Sequence, residues 1–127
     1  ASPSFKLRYM FMSDYDDEDE FDTFAETLDL RPTVPDITCP VLIIAGEEDQ
    51  LSPIEFSYEL FDHIKAPKEI LVYEGANHSV ADAPSAAFGE NPRVYHADWI
   101  ADRIADKPAK TMKSWVNSQG HRTETLA

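Results

Sequence analysis

The run Cys39-Pro-Val-Leu-Ile-Ile-Ala-Gly-Glu-Glu-Asp-Gln-Leu-Ser-Pro53 decides how the rest of the chain is read. Val41 to Ala45 is a short, unbroken apolar segment rich in β-branched residues and bounded by Pro40 and Gly46, the pattern of a strand buried on both faces of a parallel sheet. Gly46 permits a tight turn, and Glu47, Glu48 and Asp49 follow it, where open α/β sheets place their chemistry, beyond the carboxyl ends of strands. Ser52-Pro53-Ile54-Glu55 then reads as an N-cap serine, a proline at the first helical position and a glutamate at the third, a capping box.

Downstream, Ile54, Tyr58, Phe61 and Ile64, with Leu60 beside them, form one apolar stripe at helical spacing that stops before Pro67. Ile70-Leu-Val-Tyr73 is a second buried strand, so strand, helix and strand make a βαβ crossover with parallel pairing. Glu74-Gly-Ala-Asn-His-Ser79 is then a second loop at the same sheet edge as Asp49. Asn91-Pro92 starts a further helix, with Val94, Ala97, Ala101, Ile104 and Ile100 expected to cover one face of the sheet and an end near Pro108. From Ala109 onward Met112, Trp115 and Val116 give only a weak stripe, followed by Gly120 and a polar tail expected to fray.

Upstream, Phe5, Leu7, Tyr9, Met10, Phe11 and Met12 form a dense apolar cluster, expected to pack into a core or dock onto a neighbouring element, or else to wall a substrate pocket. The acidic run from Asp14 to Glu20 has the Asp14, Asp16, Glu18 spacing of a calcium loop. It lacks the glycine and the bidentate glutamate that such a loop needs, since Asp19 and Ala25 stand at those places. It reads instead as the start of an amphipathic helix carrying Phe21, Phe24, Ala25 and Leu28 and ending near Leu30. The chain as a whole is read as one partial α/β domain: a helical, cap-like segment over 1–33, a last βαβ unit and final helix over 34–108, and a tail over 109–127. The expected sheet is incomplete, two parallel strands with flanking helices.

The chain has 127 residues, and its 11 Lys and Arg against 24 Asp and Glu give a formal net charge of −13, which disfavours nucleic acid and anionic membrane surfaces as partners. No apolar run reaches membrane-spanning length and no signal-peptide pattern opens the sequence. Cys39 is the only cysteine, so no internal disulfide forms, which fits a cytoplasmic setting. Its place before a buried strand suggests a packed small residue rather than a nucleophile. No histidine or cysteine pair has zinc-ligand spacing. The chain opens on Ala1 without an initiator methionine, as a processed chain or an interior fragment would.

An aspartate and a histidine on neighbouring strand-end loops are able to pair, the carboxylate fixing the imidazole tautomer and stabilising the imidazolium formed in nucleophilic catalysis. Asp49 and His78 occupy such positions, although each has a plainer reading, a solvated turn acid and a loop histidine bonded to backbone. Glu47 and Glu48 read as solvated, and His63 as a partner of its helix's carboxyl end. His96 and His121 suggest no partner.

The pattern Ile37-Thr-Cys-Pro-Val-Leu-Ile-Ile-Ala-Gly-Glu-Glu-Asp49, followed by Glu74-Gly-Ala-Asn-His78, resembles the carboxyl-terminal part of an α/β-hydrolase over roughly residues 10 to 105. In that superfamily the acid sits in a Gly-x-x-Asp turn after the penultimate core strand and the histidine follows the last. The resemblance therefore implies Asp49 as triad acid and His78 as triad base. It is closest to the group of dihydropseudooxynicotine hydrolase and the fungal hydrolases that shorten polyketide pigment precursors, whose members cleave esters or carbon–carbon bonds beside a carbonyl with a serine nucleophile.

What it implies is a small acyl or ester substrate, no cofactor and no metal. A nucleophile elbow, Gly-x-Ser-x-Gly, should precede the acid in chain order. The glycines are Gly46, Gly75, Gly89 and Gly120, no two of them four apart, and Ser13 stands between Met12 and Asp14 without an elbow. The serine, the oxyanion hole and the earlier strands are thus expected before Ala1, so that this segment alone is inactive. The first strand would keep an open edge, inviting association with the missing amino-terminal part or a homo-oligomer. A non-catalytic binding module is the remaining alternative.

Overall fold

Pairing of the two apolar strands organises the larger part of the chain. In the computed structural model, which describes residues 3–126, β1 (Val41–Gly46) and β2 (Lys68–Tyr73) pair in parallel, Val41 opposite Lys68 and Gly46 opposite Tyr73. Between them runs α3 (Ile54–His63), the expected crossover helix. The chain divides into two compact units, residues 1–32 and 33–127.

In the larger unit β2 is buried from both sides. Leu71 and Tyr73 pack with Ala76, Ala86 and Val116, joined by half-buried Ile44, Val80 and Tyr95. Ile70 and Val72 pack with Phe61, joined by Ile43, Ile54, Tyr58 and Trp115. Residues of opposite parity thus fill two separate clusters, as the period of two in a strand requires. β1 is less enclosed than expected: Val41 to Ile44 are only half-buried, because the strand borders the sheet and, among the described residues, pairs with β2 alone.

The sheet carries two strands more than the sequence suggested. After α4 (Pro84–Phe88) and α5 (Pro92–Ile104), β3 (Met112–Val116) adds to β2 in parallel and β4 (Arg122–Leu126) closes back on β3 in antiparallel. The order is β1-β2-β3-β4. The segment expected to fray as a tail is therefore a hairpin. Met112, Ser114 and Val116 are its buried positions, and serine in the middle of that alternation conceals it. At the turn the Asn117 side chain accepts the amides of Gln119 (3.0 Å) and His121 (2.9 Å), while Gly120 takes a positive φ of 81°.

Helix α5 starts as read: the Asn91 side chain accepts the amides of Arg93 (2.9 Å) and Val94 (3.3 Å), with Pro92 next. Its packed face differs from the expectation. Val94, Ile100 and Ile104 are exposed, whereas Pro92 is buried and Tyr95 half-buried. The Tyr95 hydroxyl donates to buried Glu69 on β2 at 2.7 Å, and Arg122 of β4 stacks on its ring. Burial and the Glu69 carboxylate push the Tyr95 hydroxyl well above its ordinary pKa. The polar bond to Glu69 outweighs the aliphatic stripe because a buried carboxylate requires a donor.

The smaller unit holds α1 (Pro3–Met12) and α2 (Glu18–Glu26). Asp17 caps α2 by accepting the Glu20 amide at 2.9 Å, and Lys6 bridges to Glu18 and Asp22. The apolar cluster of α1 is not a core as expected. Met10 is its buried member, while Phe5, Leu7, Tyr9, Phe11 and Met12 are exposed. Phe5, Leu7, Tyr9 and Phe21 instead line, with Lys6, a hollow of about 580 Å³ within this unit.

If the hairpin belongs to the core, Val116→Ala should cost about 2 kcal/mol in urea unfolding, since Val116 is fully buried. An unchanged midpoint would show that the segment after Ala109 is a tail after all.

Candidate active site

The parallel register sends both strand ends to one edge of the sheet. The turn after β1 carries Asp49 and the turn after β2 carries His78, and His78 Nδ1 meets Asp49 Oδ2 at 2.8 Å. The two side chains have different surroundings: Asp49 is 8% exposed and His78 56%.

Asp49 is held from two sides. Its Oδ1 accepts the amides of Leu51 (2.8 Å) and Ser52 (2.9 Å), and its Oδ2 faces the imidazole. The expected capping box is absent for this reason. Ser52 does not cap α3; its own amide is committed to Asp49, and Pro53 stands at the cap without a side-chain bond. Burial alone would raise the Asp49 pKa, but the Ser52 amide, the His78 ring and the Leu51 amide together hold it below the ordinary carboxylate range. Asp49 is thus an ionised acceptor at neutral pH, and it selects the His78 tautomer with the proton on Nδ1.

The two turns are also joined to each other. The Glu48 amide donates to the Ala76 carbonyl at 2.9 Å, and Glu47 Oε2 accepts the Gly75 amide at 2.8 Å. Glu47 is therefore not merely solvated, as its sequence context suggested. Asn77 Oδ1 accepts the amides of Gln50 (3.3 Å) and His78 (2.8 Å). Gly46 makes the approach possible, since a Cβ there would collide with the carbonyl oxygens of Ala76 and Asn77. On its other side the histidine turn is tied to the hairpin, with the Ser118 amide donating to Glu74 Oε2 at 2.6 Å and the Glu74 amide to the Val116 carbonyl at 2.9 Å.

Residues outside this edge have simpler places. The His63 ring bonds the Glu59 carbonyl at 2.8 Å in the last turn of α3, and His96 is exposed on α5. Cys39 is exposed rather than packed. Among the described residues no group of three or more His, Cys, Asp and Glu is placed to hold a metal ion, and no helix is long and apolar enough to cross a membrane. The bridges from Glu47 and Asn77 escape sequence reading, because both stand at positions that the Gly46–Asp49 and Gly75–His78 turns leave unspecified and the Gly75 and Gln50 amides they meet lie 28 and 27 positions away.

Residues 22–83, just under half of the chain, match the family model described as serine aminopeptidase, S33. A curated relative, a monoglyceride lipase homolog of Monkeypox virus, is 35% identical over 49 residues, which are 39% of this chain and 18% of that protein. The chain therefore spans less than a fifth of the length of this relative. No solved structure gives a significant match. The two matches support an α/β-hydrolase, and the open four-stranded α/β sheet is consistent with part of that fold.

The ionised form of Asp49 is the one that the fold binds best. A carboxyl whose pKa is lowered on folding contributes stability that is complete above its unfolded value, about 4, and is lost as pH falls through the lower folded value. Asp49→Asn should therefore lower unfolding stability at neutral pH by about 1 kcal/mol, the difference between charged and neutral acceptors. The gap to wild type should close as the medium is acidified below about pH 4; a gap independent of pH in urea titrations would contradict the assignment.

Proposed function

We propose that this chain carries the acid and the base of a serine-dependent hydrolase acting on esters or related acyl substrates, with Asp49 as acid and His78 as base. The observation that carries the reading is the 2.8 Å contact from His78 Nδ1 to a largely buried Asp49 at the carboxyl edge of a parallel sheet. With Nδ1 committed to the carboxylate, Nε2 is the nitrogen left to take a proton from a serine hydroxyl and return it to the leaving group. Asp49 orients the ring and stabilises the imidazolium formed between those two transfers. The chemistry calls for no cofactor.

The nucleophile and oxyanion hole belong, on this reading, to a preceding segment of a longer chain whose strand pairs with the free edge of β1. Support comes from the apolar surface left near that strand and its crossover helix, where Leu51, Phe56 and Leu60 are exposed. Self-association through the same edge is the outcome if no such segment exists, and the chain would then act as a binding module.

Carbon–carbon bond cleavage beside a carbonyl would use the same pair and is the second reading, in keeping with the group of polyketide-shortening hydrolases. The likeness to a monoglyceride lipase homolog favours the ester. The helical unit over 1–32 is read as a cap-like segment whose hollow, lined by Phe5, Leu7, Tyr9 and Phe21, suits an acyl chain.

The test begins with the coding region upstream of Ala1. Where it supplies Gly-x-Ser-x-Gly, His78→Ala and Asp49→Ala in the intact enzyme should each lower kcat on an ester by roughly 10⁴-fold or more. Full activity in His78→Ala would end the proposal. Product analysis on an ester and on a β-diketone then separates the two chemistries. Alanine at Phe5, Tyr9, Phe11 and Tyr15 should shift kcat/KM across esters of increasing acyl length, and an unaltered chain-length profile would remove the cap from the substrate site.

A further inference from the structure

Beyond the acid and the histidine themselves, each of the two turns carries a side chain that bonds the backbone of the other. Glu47, two residues before Asp49, reaches over to the Gly75 amide at 2.8 Å. Asn77, beside His78, reaches back to the Gln50 amide at 3.3 Å while also accepting the His78 amide at 2.8 Å. Each turn therefore sends one side-chain acceptor to the backbone of the other. On the acid turn the two bonds flank Asp49, through Glu47 before it and Gln50 after it, and on the histidine turn both precede His78, at Gly75 and Asn77.

We infer that Glu47 and Asn77 are positioning residues that hold the acid turn and the histidine turn in register, so that His78 Nδ1 stays on Asp49. Such a device is needed here because the imidazole itself is anchored by little else. The His78 side chain is 56% exposed, and its ring is held by the bond to Asp49. Parallel strands fix where the turns begin; Gly46 opposite Tyr73 is the last pair of the ladder, and the Glu47 amide still donates to the Tyr73 carbonyl at 3.0 Å. Past that point a shift of the turns by a fraction of an ångström breaks a 2.8 Å contact, and misplacement of that order is costly to catalysis. Two backbone bonds join the turns at their base, from the Glu47 amide to the Tyr73 carbonyl at 3.0 Å and from the Glu48 amide to the Ala76 carbonyl at 2.9 Å; the acceptors of Glu47 and Asn77 carry the link outward to Gly75 and Gln50, toward the histidine and the aspartate.

The proposal rests on the pairing of Asp49 with His78, and the experiment separates the two. In this 127-residue chain, labelled with ¹⁵N, long-range ¹H–¹⁵N correlation in alkaline buffer reads the tautomer of the His78 ring directly, with the signals assigned by their loss in His78→Gln. The wild-type ring should be mainly Nδ1–H, the form that Asp49 selects. Glu47→Ala and Asn77→Ala should each reduce the ratio of Nδ1–H to Nε2–H several-fold toward that of a free imidazole. Glu47→Gln, which keeps an acceptor oxygen, should restore it, a rescue that a general loss of stability would not show.

Wild-type ratios in both alanine variants, with a reduced ratio in Asp49→Ala, would overturn the positioning role and leave the acid and base pair intact. A wild-type ring without the Nδ1–H form would overturn both. Amide exchange in the unmutated chain is the arm that depends on no variant: slow exchange at Gly75 and Gln50 is required, and fast exchange at both would overturn the proposal even if an alanine variant failed to fold.

Discussion

Parallel pairing of β1 with β2, Gly46 opposite Tyr73, is the constraint from which the site follows. Because the strands run the same way and end level, both following turns emerge at one edge, and their residues meet without any long excursion of backbone. Burial makes this register stable. Ile70, Leu71, Val72 and Tyr73 are each at most 2% exposed, so a slip by one residue would exchange the two faces and carry the contents of each cluster to the wrong side. The contact between Asp49 and His78 thus depends on core packing that neither residue takes part in.

The added strands extend this argument to the far side of β2. With β3 in place, β2 is an interior strand, and the turn bearing His78 has a neighbour on each flank: the acid turn through Glu47 and Glu48, and the hairpin through Glu74. The edges of the sheet differ in kind. β4 ends it with Arg122, Thr123, Glu124 and Thr125, a polar and charged border of the sort that discourages further pairing. β1 ends it with Val41 to Ala45, apolar and, among the described residues, unpaired on its outer side. Only the second edge invites another strand.

Legibility followed the range of the interactions. β1, α3, β2 and the Asn91 cap are written in local pattern, and so are readable; the placing of Asp49 and His78 in turns after apolar strands is legible for the same reason, and their 2.8 Å contact follows from the register of those strands. The hairpin was not readable. Its alternation is carried by Met112, Ser114 and Val116, in which serine breaks the apolar signal, and its route is unusual. α3 packs with Ile70 and Val72, whereas Tyr95 of α5 packs with Leu71 and Tyr73, on the opposite face. As β1, β2 and β3 succeed one another in a single direction across the sheet, the two crossovers must have opposite hands. A rule that such connections are right-handed offers no place for β3. The face of α5 was misjudged for a related reason: its aliphatic stripe is locally evident, while the demand of Glu69 for the Tyr95 hydroxyl arises only once β2 is beside it.

The contrast between a buried Asp49 and an exposed His78 bears on how the proposed chemistry would work. An ion pair between an imidazolium and a carboxylate is weak in water and grows as solvent is excluded. In this chain the carboxylate half is already desolvated and compensated, its charge met by the Leu51 and Ser52 amides, while the imidazole half still faces solvent. On the proposed reading the acid would be prepared in advance, independent of substrate, and the base would be enclosed by the segment that carries the nucleophile. Such a division suits a base that must move a proton between a serine and a leaving group, because a ring locked on both nitrogens has no free site for transfer. It also places the requirement for precision on the turns rather than on the ring, and there the crossed acceptors of Glu47 and Asn77 act.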